Sequence, residues 1–505
     1  MRRASFSLGR LASALARIPH PIGAVTVLVE IPIHPATIGR FGALVGEATV
    51  HRVEELAASL RARAAERVIW NVSSTAVGGG VAEMLPRLLS YVRAIGVDSR
   101  WVIITGPPEF FRVTKRIHNA LHGEPGDGSP LDDSARNIYE ATLERNAQEL
   151  LARVRPRDVV ILHDPQTLGL TPHLARVGAI VVWRCHIGTD EPNQESTLGW
   201  GFLRQYLRQV AYFVFSRLAY APPFIARDRI AVIAPSIDPF APKNQLLSEE
   251  AVRAILVTTG LVGGEPGTTA PTFTRNDGSP SRVDRGCDVM SLGGPPKWED
   301  PLVVQVSRWD TLKDPLGVLE GFARFVAIAP ELRADLILAG PNVRAVADDP
   351  DGARVFDEVA AAYRALPHHV RRRAHLANLP TADVEENAAI VNALQRHATI
   401  IVQKSLREGF GLTVTEAMWK GRPIVASAVG GITDQIEDGV DGLLLKNPRD
   451  LDAFAGAIRL LRSAPDHAQA LGDHAAIRAR EQFLGLRHLI DYNSLLERID
   501  AVSTR

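Results

Sequence analysis

The chain has 505 residues, 46% hydrophobic and 23% charged. That is an ordinary globular composition, longer than one hydrophobic core usually organises, so two domains are expected. Lys plus Arg and Asp plus Glu both number 57, a balance that gives no support to a nucleic-acid partner. Cys185 and Cys287 are the only cysteines; they form neither a disulfide framework nor a metal-ligand spacing and suit a reducing, cytoplasmic setting. No apolar run approaches the roughly 18 residues that span a bilayer, so no transmembrane segment is expected. In the opening stretch, MRRASFSLGRLASALARIPHP, Arg10 and Arg17 interrupt the apolar residues, which reads as a surface extension more than a targeting segment.

Apolar, β-branched runs follow at 24–30, 66–73, 99–105, 158–164, 179–186, 211–216 and 230–238, with helical periodicity at 53–66, 80–95 and 133–154. Strands without polar alternation, separated by amphipathic helices, indicate a parallel sheet covered on both faces. Residues 260–301 then break the pattern: they are crowded with Gly, Pro, Ser and Thr, and read as a loop or flexible insertion. The α/β rhythm restarts with strands at 302–309, 334–340, 398–405, 423–429 and 442–447 and helices near 315–328, 385–396, 412–420 and 450–463. The reading is two doubly wound, Rossmann-like α/β domains, 1–242 and 243–483, with the hinge around 238–245. A last helical stretch from 484 crosses back toward the first domain. Ligands of such domains sit at the carboxyl ends of the strands.

Four clusters occupy those ends. Gly78-Gly79-Gly80 follows the strand ERVIWNVS and opens a helix, a tight turn that exposes amides. LHDPQ and WRCHIG bring His163, Asp164, Gln166, Arg184 and His186 to neighbouring strand ends; their spacing matches no standard metal pattern. SRWDTLKDP places Arg308 and Lys313 after a strand, as solvated ion-pair partners of Asp310 and Asp314 or as two cations for a diphosphate. In EGFGLTVTE, Glu408 ends a strand, Gly409 and Gly411 allow a ligand close to the backbone, and a helix opens near Thr413 toward the same space. Glu416 can take sugar hydroxyls or pair with Lys420 four residues on.

With its continuation EAMWKGRPIVASAVGGITDQIEDGVDGLLL, the last cluster resembles the Glu-x7-Glu segment of retaining GT-B glycosyltransferases of family 4. HDPQ, WRCH, PSIDPFAPKN (235–244), RWDTLKDP and FFRVTKRIHNALHG (110–123) together are similar to the trehalose synthase and retaining trehalose phosphorylase branch of that family, over most of residues 40–490. Residues 1–40 and about 260–300 fall outside the likeness. The resemblance implies a GT-B fold, with both domains facing an interdomain cleft, and transfer of glucose from a nucleoside-diphosphate glucose to glucose. Glu408 would contact hydroxyls of the transferred sugar, and Gly409, Phe410, Gly411 and Leu412 would line the sugar and phosphate. Glu416 would bind the ribose, Arg308 and Lys313 the diphosphate, and the loop at Gly79 and Gly80 would close over it. His163, Asp164, Gln166 and Arg184 would hold the acceptor, and His186 would orient the acceptor or the sugar C6 hydroxyl.

No cofactor and no metal are implied beyond the co-substrate, ADP-glucose or UDP-glucose. Partners would be small sugars and nucleotide sugars, and a monomer or a homodimer is compatible with the neutral chain. Phosphorolysis of trehalose and another acceptor within family 4 are the alternative activities; a non-catalytic nucleotide-sugar sensor is disfavoured by the intact Arg308, Lys313, Glu408 and Glu416. The chain departs from the branch after WRCH, where Ile187-Gly188-Thr189-Asp190 stands in place of an Asp-Leu-Ser-type continuation.

Overall fold

The computed structural model describes residues 28–76, 80–265, 267–343 and 350–503. They form two compact units. One comprises residues up to Asp238 together with Arg480 onward, and the other runs from Pro239 to Ala479.

The first unit holds a seven-stranded sheet in the order β1-β3-β2-β4-β5-β6-β7. Its strands are β1 (Leu28–Ile31), β2 (Ile69–Ser73), β3 (Ser99–Ile104), β4 (Val159–His163), β5 (Ile180–Cys185), β6 (Tyr212–Phe215) and β7 (Ile230–Val232). All neighbours are parallel except the edge strand β1, which runs antiparallel to β3. β2 and β4 are buried at every residue, as expected of central strands with helices on both faces. Trp70, Trp101 and Trp183 lie in this core, and each indole N–H is satisfied, by Asp158, Ser73 and the Asp164 carbonyl respectively. The helix Gly485–Ser503 packs on helix Glu47–Ala64 in this same unit.

The second unit repeats the architecture with β10-β13-β12-β11-β14-β15-β16. The strands are β8 (Thr272–Thr274), β9 (Pro280–Arg282), β10 (Asp288–Met290), β11 (Leu302–Val306), β12 (Asp335–Pro341), β13 (Ala374–Leu379), β14 (Ile400–Gln403), β15 (Ile424–Ser427) and β16 (Leu443–Leu445). Without the antiparallel edge strand β10, the order is the 3-2-1-4-5-6 of dinucleotide-binding sheets. Where the composition of 260–301 gives a loop, the structure has a β8–β9 hairpin and then β10. The segment borrows its order. Arg275 pairs with Asp383 and Glu385 at the start of helix Val384–His397, and Glu386 accepts the Asp284 and Arg285 N–H groups. β10 takes the free edge of β13. Among the described residues no helix is long and apolar enough to cross a membrane.

Among the parallel strands of both sheets the direction of winding reverses once, between β2 and β4 and between β11 and β14. The crevice outside such a switch point is where ligands of open α/β sheets bind. Both crevices are flanked by clusters singled out from sequence.

Candidate active site

In the second unit, the chain leaves β11 through Ser307 and Arg308. Asp310 accepts the Leu312 N–H across a single turn, Thr311–Lys313. Asp314, at φ +49°, then caps helix Pro315–Ile328 by accepting from Gly317 N–H, and pairs with the buried Lys404 at the end of β14. This pair ties the two strand ends together. Lys313 is thereby directed at Glu408, with Nζ 2.6 Å from Oε2, and Ser405 Oγ donates to the same oxygen at 3.3 Å. Arg308 stands more exposed, beside Asp310 at 3.1 Å.

Glu408 leads into Gly409-Phe410-Gly411, and Gly411 forms the N-cap of helix Leu412–Trp419. A second turn clamps this loop from behind. Gly431 N–H donates to the Gly409 carbonyl at 3.1 Å, and Gln435 donates to the Phe410 carbonyl while accepting from Thr415. Cations, a carboxylate and free helix-terminal N–H groups thus share one edge of the switch point, a set suited to a phosphate carrying a polyhydroxyl group. Glu416 is 2% exposed. Its carboxylate pairs with Lys243 at 3.2 Å, whereas Lys420 donates to the Glu416 main-chain carbonyl and to Asn244. The i,i+4 position of Lys420 therefore serves the backbone, and Lys243 supplies the cation.

In the first unit, His163 ends β4 and Asp164 opens the helical turn that follows, Asp164–Leu168, while Arg184 lies at the end of β5 and His186 just beyond it. Asp164 adopts φ +61°, a left-handed conformation that Asp tolerates and that recurs at functional sites. It accepts from the His186 main-chain N–H at 2.8 Å and from Nδ1 at 3.1 Å. Burial alone would raise the Asp164 carboxyl; its interactions with His186 more than offset this and hold it at about 2. Arg184 Nε donates to His186 Nε2 at 2.7 Å. Because arginine only donates, Nε2 must be the acceptor and Nδ1 the protonated nitrogen. His163 stacks on His186, with centroids 5.5 Å apart, and its Nε2 meets Asn71 Oδ1 at 3.1 Å. Asn71 Nδ2 donates to Ser99 at the limit of range, 3.5 Å. Among the described residues His163 Nδ1 is left buried without a partner, as is Gln166 Oε1. Burial, reinforced by neighbouring His186 and Arg184, keeps His163 well below the ordinary imidazole value, and burial lowers His186 as well.

The structure brings His163, Asp164, Gln166 and His186 to one strand edge. It turns Arg184 the other way: Arg184 is 1% exposed, and its remaining donors go to Tyr492, His488 and the Ile233 carbonyl. Gly80 begins helix Gly80–Ala94 and is exposed; Gly78 and Gly79 lie outside the described residues. The departure after WRCH has a local cause. A Cβ at Gly188 would lie 2.1 Å from Cγ of buried Tyr220, so a leucine there has no room. Sequence reading missed Lys243, Lys404, Ser405, Gln435, His488 and Tyr492. Lys243 lay inside the noted PSIDPFAPKN run and Gln435 inside the continuation after Glu416; the others carry no local pattern.

Residues 71–222 match the family described as trehalose synthase, N-terminal domain, and residues 382–478 match glycosyl transferases group 1. Over 456 residues the chain is 32% identical to trehalose synthase of Pyrococcus horikoshii, covering 90% of this chain and 95% of that protein. It is 28% identical over 441 residues to trehalose phosphorylase of Pleurotus sajor-caju, covering 82% of this chain and 55% of that protein. Its fold is like that of a UDP-forming α,α-trehalose-phosphate synthase from Burkholderia vietnamiensis, with a TM-score of 0.63 at 16% identity, covering 85% of this chain and 98% of that one.

Proposed function

We propose that this chain, which belongs to the trehalose synthase family of GT-B glycosyltransferases, transfers glucose from a nucleoside-diphosphate glucose to glucose, forming trehalose with retention at the donor carbon. The observation that carries this reading is the convergence of Lys313, Glu408 and the start of helix Leu412–Trp419 at the β11–β14 switch point. In this reading Glu408, held by Lys313 and Ser405, receives hydroxyls of the donor glucose. Lys313, Arg308 and the helix N-terminus neutralise the charge that develops as the diphosphate departs. Glu416, oriented by Lys243, takes the ribose. In the first unit, Asp164, His163 Nδ1 and Gln166 Oε1 receive acceptor hydroxyls, and His186 holds Asp164 in place.

The departing phosphate oxygen takes the proton of the acceptor hydroxyl, so the new bond forms on the face the leaving group vacates. An oxocarbenium-like state needs exclusion of water, or the donor would simply hydrolyse. The test is a product assay with purified protein, ADP-, UDP- or GDP-glucose and glucose, without added metal, read by NMR at the anomeric carbons. An α,α-1,1-linked disaccharide is the expected result. Donor hydrolysis without disaccharide would overturn glucose as acceptor, and phosphate-dependent cleavage of trehalose without synthesis from any nucleotide sugar would move the activity to phosphorolysis.

A further inference from the structure

Ser236, in the motif PSIDPFAPKN, and the terminal helix Gly485–Ser503 have no role in the chemistry above, yet they converge behind it. His488 is 0% exposed. Its Nδ1 lies 2.5 Å from Ser236 Oγ, and its Nε2 faces Arg184 Nη2 at 3.2 Å. Tyr492, one helical turn on, stacks on His488 and accepts from Arg184 Nη1 at 2.5 Å. The Ile233 carbonyl takes the remaining Arg184 contact at 3.2 Å. Arg184 in turn donates to His186 Nε2 at 2.7 Å, and His186 to Asp164 at 3.1 Å.

The composition of this network is telling. A guanidinium 1% exposed is costly to bury, and the usual compensation is a carboxylate. Among the described residues every direct hydrogen-bond partner is a neutral acceptor: two imidazoles, a phenol and a carbonyl. Arg184 directs its Nε–H at His186 Nε2. These contacts also fix the tautomers in series. Arg184 cannot accept, so His488 must present a bare Nε2 and send its proton to Ser236, while His186 must present a bare Nε2 and send its proton to Asp164.

We propose that His488, carried by the C-terminal helix, is a positioning residue for glycosyl transfer: through Arg184 it locks His186 in the Nδ1–H tautomer and thereby aims the Asp164 carboxylate. This deepens the acceptor-site reading above and rests on it. His488 touches no substrate in this arrangement and acts through two intervening side chains.

The test compares His488→Phe, which removes the acceptor, with His488→Gln, whose amide oxygen can take the place of Nε2. Side-chain nitrogen NMR on protein labelled at histidine, with the His186 signals assigned from His186→Gln, reads the tautomer directly. For His488→Phe the expected results are a kcat about 10- to 100-fold lower, the range of a lost hydrogen bond to a charged group, and an unchanged KM for the nucleotide sugar. The His186 nitrogen signals should move from separate protonated and bare positions toward an average, and His488→Gln should recover most of both. His186 signals and kcat like wild type in folded His488→Phe would overturn the proposal, and so would shifted signals with an unchanged kcat. If His488→Phe does not fold, Tyr492→Phe takes its place with the same two readouts. A wild-type protein that turned over no nucleotide sugar would remove the proposed reaction; the nitrogen signals would still decide the network, since unmoved signals in the variant overturn it.

Discussion

Replacing Gly431 with Ala isolates the contribution of the loop that presents Glu408. At Gly431, φ −63° and ψ −10° suit alanine, so the substitution imposes no backbone penalty of its own. The added methyl, however, would meet Phe410 Cα at 2.6 Å and the Gly409 carbonyl oxygen at 2.8 Å. Both are backbone atoms that cannot rotate aside. Restoring ordinary contact requires the Gly409–Phe410 segment to retreat by roughly 0.8 Å, a displacement of the size that costs catalysis about 100-fold when it moves a positioned group. Overpacking of this kind also destabilises by about 1–3 kcal/mol. The control is Gly456→Ala in helix Leu451–Ser463, where nothing lies within 4 Å of the new methyl. There the same chemical change should stabilise by about 0.5–1 kcal/mol. The assay is thermal and denaturant unfolding of both variants, alongside kcat/KM for the nucleotide sugar. A Gly431→Ala protein with wild-type stability and turnover would refute the claim that the turn at Gly431 clamps the loop carrying Glu408.

Arg308→Ala should cut turnover by about 100-fold yet alter stability by less than about 0.5 kcal/mol, because its pair with Asp310 is exposed; near-normal turnover removes the diphosphate role. Lys404→Met strands the Asp314 carboxylate and should cost about 3 kcal/mol, with Lys404→Met/Asp314→Asn losing less than the two single changes added; additive losses in a denaturation cycle would dissolve the pair. Burial holds His163, His186 and His488 below the usual imidazole value. In the unfolded chain they protonate near pH 6.5, so stability present above that pH is lost as pH falls below it, by up to about 1.4 kcal/mol per unit for each group. A denaturation midpoint that stays constant from about pH 7.5 to 5 would contradict their native burial in neutral form.

The alternation of buried runs and amphipathic helices made most of both sheets readable, because central parallel strands need little but apolar β-branched residues. β13 escaped, since His375 and Asn378 break its apolar run. Their reasons are tertiary: Asn378 accepts from the Trp309 indole at 3.1 Å and His375 contacts Ser291 at 2.8 Å. β8 to β10 escaped because their stability comes from elements already formed, the edge of β13 and the start of helix Val384–His397. At the site, Glu408, Lys313 and Asp164 stand out in the sequence because each lies in the loop or turn that follows a strand. The sequence reading places Arg184 beside the acceptor for the same reason. Its side chain instead serves partners about three hundred residues away in sequence, at His488 and Tyr492, a distance over which no periodicity or spacing carries information.

The charge states of these groups also bear on how transfer proceeds. A mechanism that deprotonates the acceptor by a side chain needs a base with a free lone pair and a suitable affinity for protons. His186 lacks the first: Nδ1 is committed to Asp164, and Nε2 receives Arg184. Asp164, held at about 2, accepts hydrogen bonds well and protons poorly. His163 offers a bare Nδ1, but burial lowers its basicity far below that of an ordinary imidazole. Glu408 is engaged by Lys313 at 2.6 Å. In the reaction proposed above, these groups would therefore orient an acceptor hydroxyl without ionising it, and basicity would develop on the departing phosphate oxygen as the donor bond breaks. On this argument kcat should have no low-pH limb from His186, and Asp164→Asn should slow transfer at every pH by the same factor; a pH profile whose lower limb vanished in Asp164→Asn would instead make Asp164 the proton acceptor.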